Sequence, residues 1–307
     1  MSAQRDLSVQ IGSLHMKNPV MPAAGTYDYF SHNAGLFPME RLGAIMIKSV
    51  HRHPRPGNPP PRTAEVYGGM INAIGIPSVG MEAFMEREIG RFASLNVPVV
   101  LSISGSRPCE YAECLQILDN DPRIGAVEMN LACPNVDSGL PFSSDTETLH
   151  RTVAACRKQT RLPLIAKLNP SVPEIGPYAA AAEEAGADAL TLSNTFRAMK
   201  IDLQRQKPIL GNRFGGLSGP AIKAINLFLV WSACQRVKIP VIACGGICSG
   251  EDAVEYLLAG ATAVQVGSYN FVNPNAMPEI IDGIEAYLAE KRYTAVKEII
   301  GLAQNNP

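Results

Sequence analysis

The sequence predicts an α/β protein, a (β/α)8 TIM barrel with a short N-terminal β-hairpin closing the bottom. Three observations carry this. Eight short apolar, β-branched runs recur along the chain, each is followed by a Gly-rich or polar loop and then an amphipathic stretch, and the glycine clusters come late. A doubly wound sheet usually has fewer strands and often sets a Gly-rich phosphate turn at its first crossover, which does not suit late glycines. With 307 residues the chain is expected to be a single barrel domain over 1–307, since such barrels of roughly 250 residues fold around one core.

The elements follow in order. Residues 7–11 and 14–16 read as the hairpin, its apolar side chains plugging the barrel floor. The expected barrel strands are 20–24, 44–50, 99–104, 126–131, 164–168, 189–194, 241–244 and 263–266. Helix signals fall between them. Residues 179–185 stop at Gly186, and Pro220 opens a helix running through Leu229 into Cys234. Ser249 and Asp252 form a capping-box pattern, 253–258 carry an apolar face, and Gly260 ends that helix. Three connections are long, 51–80, 133–145 and 195–219. All three leave strand C-termini, the face on which barrel enzymes build their sites.

Composition narrows the class. Lys+Arg 27 against Asp+Glu 28 leaves a net charge of −1, and the basic stretch 48–62 is short and Pro-rich, so neither a nucleic-acid nor an anionic-membrane partner is expected. The first residues, MSAQRDLSVQIG, lack the apolar core of a signal peptide or membrane span, and a cytoplasmic location is expected. The 7 cysteines form no CxxC pair and read as free thiols.

Chemistry concentrates at the expected barrel mouth. Cys244-Gly245-Gly246 follows the seventh strand and Gly267-Ser268 the eighth, the corner where many barrels hold phosphate with backbone N–H groups; Gly215 to Gly219 can close over the same ligand. Lys48 and Lys167 sit at strand ends among apolar neighbours. With no acidic residue in either strand, a ligand anion is the more economical partner. Asn72, Asn130, Asn135 and Asn194 gather at the same face. Each carboxamide both donates and accepts, which suits the alternating C=O and N–H groups of a pyrimidine ring. Cys133, between a strand and Pro134, is placed to act as a general base if its surroundings favour thiolate. No His or carboxylate is set for a nucleophilic triad, and the 5 histidines lack metal-ligand spacing.

At these residues the sequence resembles the class 1 dihydroorotate dehydrogenases, over nearly the whole chain. IKSVHRHPRPGNPPPR, MINAIGIP, NLACPN, IAKLNP, SNT, GGLSGPAIK and CGGI appear in that family's order. The resemblance implies oxidation of (S)-dihydroorotate to orotate on bound FMN in pyrimidine synthesis. Cys133 is then the catalytic base, where membrane-bound class 2 enzymes have serine. Orotate is expected at Lys48, Asn72, Asn130, Asn135, Asn194 and Thr195 and at the backbone of Ile74, Gly75 and Ile76. FMN is expected at Ala24, Gly25, Lys48, Ser49, Ser102, Asn130, Lys167, Gly216, Ser218, Cys244, Gly245, Gly246, Gly267 and Ser268. Ser102 stands where the pattern often has Asn.

Asn194-Thr195, GGLSGPAIK and AKLNPSVPEI look more like type 1B, which implies a homodimer paired with an FAD and iron–sulfur subunit that passes electrons to NAD. Three other readings remain. A dihydropyrimidine dehydrogenase-like barrel would carry its cysteine about ten residues later, where 140–144 hold no thiol. A tRNA dihydrouridine synthase is disfavoured by the net charge and the missing RNA-binding extension. A flavin-binding barrel without turnover is the third.

Overall fold

The computed structural model describes residues 5–132 and 142–305. The chain opens with an antiparallel hairpin, β1 (Val9–Ile11) and β2 (Leu14–Met16), and then enters the main sheet with β3 (Val20–Pro22) and β4 (Ile45–His51). An excursion after β4 forms β5 (Thr63–Val66) and β6 (Gly69–Asn72), followed by α1 (Met81–Arg87) and α2 (Ile89–Ala93). Strand and helix then alternate: β7 (Val99–Ser104), α3 (Pro108–Leu118), β8 (Ala126–Asn130), α4 (Thr146–Arg157), β9 (Leu164–Lys167), α5 (Ile175–Glu184) and β10 (Ala189–Leu192). A second excursion holds β11 (Phe196–Ala198), β12 (Ile201–Asp202), β13 (Lys207–Pro208) and β14 (Gly215–Ser218). The chain ends with α6 (Lys223–Cys234), β15 (Val241–Cys244), α7 (Gly250–Leu258), β16 (Ala263–Val266), α8 (Ala276–Lys291) and α9 (Leu302–Asn305).

Eight parallel strands run in the order β3-β16-β15-β10-β9-β8-β7-β4. The two end strands meet where the Gly43 amide donates to the Val20 carbonyl at 3.0 Å, so the sheet curls into a barrel. Its strands are buried on both faces, which is why they read as apolar runs without alternation. The expected strands 99–104, 241–244 and 263–266 match β7, β15 and β16 residue for residue. Others were expected to run further: β3 stops at Pro22 and β10 at Leu192, because the next residues leave the ladder for the mouth.

The hairpin lies across the opposite end. A side chain at Gly125, just before β8, would meet Leu14, and one at Gly12 would meet Pro163 and Asp188, which precede β9 and β10. Ile11 and Met16 are fully buried, so β1 and β2 close the N-terminal end of the barrel with apolar side chains.

The capping box of α7 forms as expected: Ser249 Oγ accepts from the Asp252 amide at 3.2 Å, and Asp252 Oδ2 accepts from the Ser249 amide at 3.1 Å. Ser249→Ala is expected to lower stability by about 1 kcal/mol. A urea midpoint unchanged from the parent protein would contradict this.

The excursions are where sequence and structure part. Read as loops, they instead build a four-stranded antiparallel sheet, β11-β14-β6-β5, beside the barrel mouth. Asn72, 144 positions from Gly216, pairs with it, and Ile71 pairs with Leu217 in the same register.

Candidate active site

The C-terminal ends of the barrel strands and the antiparallel sheet enclose a cavity of about 670 Å³. That volume suits a small-molecule or cofactor site. Ala24 and Gly25 line it from beyond β3, Lys48 and Ser49 from β4, Asn130 from β8, Lys167 from β9, and Asn194 and Thr195 from beyond β10. The excursions contribute Asn72, Ile74, Gly75, Ile76, Gly216 and Ser218. Cys244, Gly245, Gly246, Gly267 and Ser268 close the far side.

Two glycines are required by this geometry. Gly246 has φ +70, and a Cβ there would press on Lys223 Cβ at 2.6 Å. A Cβ on Gly216 would fall on the Thr195 hydroxyl. The turn around Gly245 is anchored from behind: Asn226 Nδ2 donates to the Cys244 carbonyl at 3.2 Å, and the Tyr256 hydroxyl to the Gly245 carbonyl at 2.7 Å. In a trans peptide the N–H points opposite the C=O, so the amides of Gly245 and Gly246 face away from that anchor. Both residues line the cavity, and together they make a backbone cradle for an anion.

Two of the asparagines are joined carboxamide to carboxamide, and a third lines the same cavity. Asn194 Nδ2 donates to Asn130 Oδ1 at 3.0 Å, Asn130 Nδ2 reaches Ser49 Oγ at 3.4 Å, and Asn72 Nδ2 reaches the Gly216 carbonyl at 3.4 Å. Lys48 Nζ donates to the Pro77 carbonyl at 2.7 Å and is open to the cavity. Desolvation by burial and the nearby Arg62 both lower its pKa, and an anion beside it would favour the charged form again. Ile76 holds φ +48, an uncommon conformation for a β-branched residue, in the turn that carries Ile74 and Gly75 into the cavity wall.

The family model described as dihydroorotate dehydrogenase matches residues 6–288. The chain belongs to the dihydroorotate dehydrogenase family. It is 47% identical over 296 residues to the protein named dihydroorotate dehydrogenase B (NAD(+)), catalytic subunit, of Trichlorobacter lovleyi, covering 96% of this chain and 97% of that one. Proteins of the same name are similar to it in Geotalea uraniireducens, at 45% over 297 residues, and in Geobacter sulfurreducens, at 46% over 297 residues; each alignment covers 96% of this chain and 97% of the relative.

Within this dihydroorotate dehydrogenase barrel, every site residue expected from the sequence that falls in the described regions lines the one cavity, except Ser102. Ser102 is fully buried and lies 2.8 Å, oxygen to oxygen, from Ser49, which does line the cavity. Cys133 and Asn135 lie outside the described residues. A correction concerns Lys167. Its own strand has no acidic residue, but the neighbouring β8 supplies the fully buried Glu128, whose Oε1 is 3.8 Å from Lys167 Nζ. The lysine therefore has an internal counter-charge in addition to any ligand. The sequence signal was a lone carboxylate inside the apolar run AVEMN. Asn169, Ser193, Arg197 and Phe214 also line the cavity and were not singled out beforehand.

Among the described residues, no group of three or more His, Cys, Asp or Glu side chains is arranged to hold a metal ion, and no helix is long and apolar enough to cross a membrane. Cys109, Cys114, Cys156, Cys234, Cys244 and Cys248 are free thiols.

Proposed function

We propose that this chain is the cytoplasmic catalytic subunit of an NAD-linked dihydroorotate dehydrogenase, oxidising (S)-dihydroorotate to orotate in pyrimidine synthesis with FMN as its bound cofactor. The observation that carries this reading is the anchored glycine cradle, which opens on the same cavity as Lys48, Lys167 and the asparagine carboxamides. Membership of the dihydroorotate dehydrogenase family over residues 6–288 favours it over a dihydropyrimidine dehydrogenase-like or non-catalytic barrel.

The residues fit a flavin mononucleotide. Gly245, Gly246, Gly267 and Ser268 would hold its phosphate, with Ala24, Gly25, Ser49, Gly216 and Ser218 around it and Lys167 beside the part of the ring that gains negative charge. When bound, the flavin supplies the acceptor for a hydride from C6 of dihydroorotate. Asn72, Asn130, Asn135 and Asn194 orient the pyrimidine by pairing its carbonyl and N–H groups. Lys48, with the backbone of Ile74, Gly75 and Ile76, holds the carboxylate. The Cys133 thiolate takes the C5 proton, so that loss of one proton and one hydride leaves the C5=C6 double bond.

We further take the chain to assemble as a homodimer and to dock an FAD and iron–sulfur subunit. Met199, Ile201 and Leu203, exposed on the second excursion, are apolar surface suited to assembly.

The purified protein is expected to be yellow, to release FMN on acid treatment, and to be bleached anaerobically by dihydroorotate. Colourless protein from riboflavin-supplemented cells, or a yellow protein that dihydroorotate leaves unbleached, would refute the reading. Lys48→Ala is expected to weaken orotate binding by roughly 10- to 100-fold while changing uracil little, the loss of one charge-assisted hydrogen bond. Competition measurements with both ligands check this. An unchanged orotate-to-uracil ratio places the carboxylate elsewhere.

A further inference from the structure

The interior of a parallel barrel is ordinarily filled by branched apolar side chains. Here one region of it is polar: Glu128 on β8, Lys167 on β9, Thr191 on β10, Cys244 on β15 and Gln265 on β16 are all buried. Their bonds have a direction. Glu128 Oε2 accepts from Thr191 Oγ1 at 2.8 Å and from Gln265 Nε2 at 2.7 Å, while the other end of the same carboxamide, Gln265 Oε1, accepts from Lys167 Nζ at 3.1 Å. Gln265 thus bridges the cation and the carboxylate. Glu128 Oε1 has no hydrogen-bond partner and lies 3.8 Å from the ammonium.

The titratable groups against Lys167 are Glu128 and Cys244, whose Sγ is 3.5 Å from Nζ. Burial pushes the Cys244 thiol up, so it stays neutral and the counter-charge is Glu128. Burial by itself would favour a neutral lysine, and the charge of Glu128 opposes it. Lys167 is at the same time part of the cavity wall.

We propose that Glu128 is the positioning residue for Lys167: through the ion pair and the Gln265 bridge it keeps the lysine an ammonium, fixed at the cavity wall before any negative charge develops in the cavity. Glu128 itself does not line the cavity. It acts only through Lys167. The consequence for redox chemistry rests on reading the cavity as a flavin site, whereas the protonation state of Lys167 does not.

Two measurements on E128Q, E128D and K167M test the proposal. In flavin-free protein labelled with ¹³C at lysine Cε, the Lys167 signal, assigned by its loss in K167M, is expected to show no titration below pH 9. In E128Q it should titrate between about pH 6 and 9, as buried lysines without a counter-ion do. E128D, which retains the charge, should follow the parent. In flavin-loaded protein, the slope of the flavin potential against pH should gain one proton per two electrons in E128Q above the lowered lysine pKa, because the lysine is then neutral until the electrons arrive.

A lysine that remains charged to pH 9 in E128Q, with an unchanged potential slope, overturns the proposal. If E128Q is too unstable to load, urea denaturation decides instead. E128Q/K167M should then be more stable than E128Q, since no unpaired buried cation remains, and a double variant no better than E128Q would make Glu128 merely structural. If the parent protein binds no flavin, the flavin reading fails while the lysine titration still decides the pair.

Discussion

Cys133→Ala is expected to slow reduction of the flavin by dihydroorotate by about 10²- to 10⁴-fold, the usual worth of a positioned general base, while FMN content and orotate affinity stay close to the parent's. Cys133 lies outside the described residues, and the placement of its neighbours supports the expectation. Ala132, one residue before it, lines the cavity. Leu131 is held by its amide to the Lys167 carbonyl at 3.2 Å, and its own carbonyl accepts from the Ser143 amide and hydroxyl, both at 3.1 Å. The two ends of the segment that carries Cys133 are therefore tied together at the barrel mouth. Stopped-flow reduction at saturating dihydroorotate measures the effect. A rate equal to the parent's removes Cys133 from proton transfer, and a rate lost together with FMN marks it as a cofactor contact.

The parts of this protein that sequence reading reached share a physical reason. Parallel strands buried on both faces appear as mainly apolar runs, and β7, β15 and β16 were legible to the residue because apolar side chains predominate in them. Overruns occurred at C-terminal ends such as 23–24 and 193–194, where Ala23 and Ser193 still donate to Val266 and Cys244 of the neighbouring strands before the chain turns into the mouth. Ala24 and Asn194, which lie there, line the cavity.

The antiparallel sheet was illegible for the opposite reason. Its strands are short and half-exposed, β14 begins with two glycines, and Thr63–Val66 alternates without a fully buried face. The β14–β6 pairing that joins the two excursions is set by a long-range register, and no local pattern encodes it. Glu128 escaped in a related way. Searching the lysine's own strand for a partner finds none, because the partner projects from the adjacent strand, whose Asn130 is in register with Lys167. Contacts across strands depend on register, which the hydrophobic pattern of a doubly buried strand does not fix.

The isolated chain, once reduced by dihydroorotate, is expected to give no measurable reduction of NAD, and NADH formation should appear only when a separate electron-transfer subunit is added. Two features of the chain motivate this. No strand-to-helix turn in its first half carries the glycine fingerprint that seats a dinucleotide pyrophosphate, and the first barrel strand, β3, leads through 23–44 with no helix longer than the three-residue turn Met39–Arg41. The free thiols among the described residues are also scattered over α3, α4, α6, β15 and the turn before α7, with no spacing that would ligate an iron–sulfur cluster. Electrons delivered to a flavin in this cavity therefore need an acceptor that docks from outside or enters the cavity itself.

The relatives in Trichlorobacter lovleyi and Geotalea uraniireducens carry the name catalytic subunit and the acceptor NAD(+), which favours the docked acceptor. The rival is a small dicarboxylate such as fumarate occupying the orotate site, where Lys48 would serve its carboxylate equally well. Anaerobic reoxidation separates the two. Dihydroorotate-reduced protein should be reoxidised slowly by fumarate and not at all by NAD, and adding the partner should bring NADH formation up to the rate of flavin reduction. Rapid reoxidation of the isolated chain by fumarate would assign the acceptor to the substrate cavity and remove the need for a partner subunit.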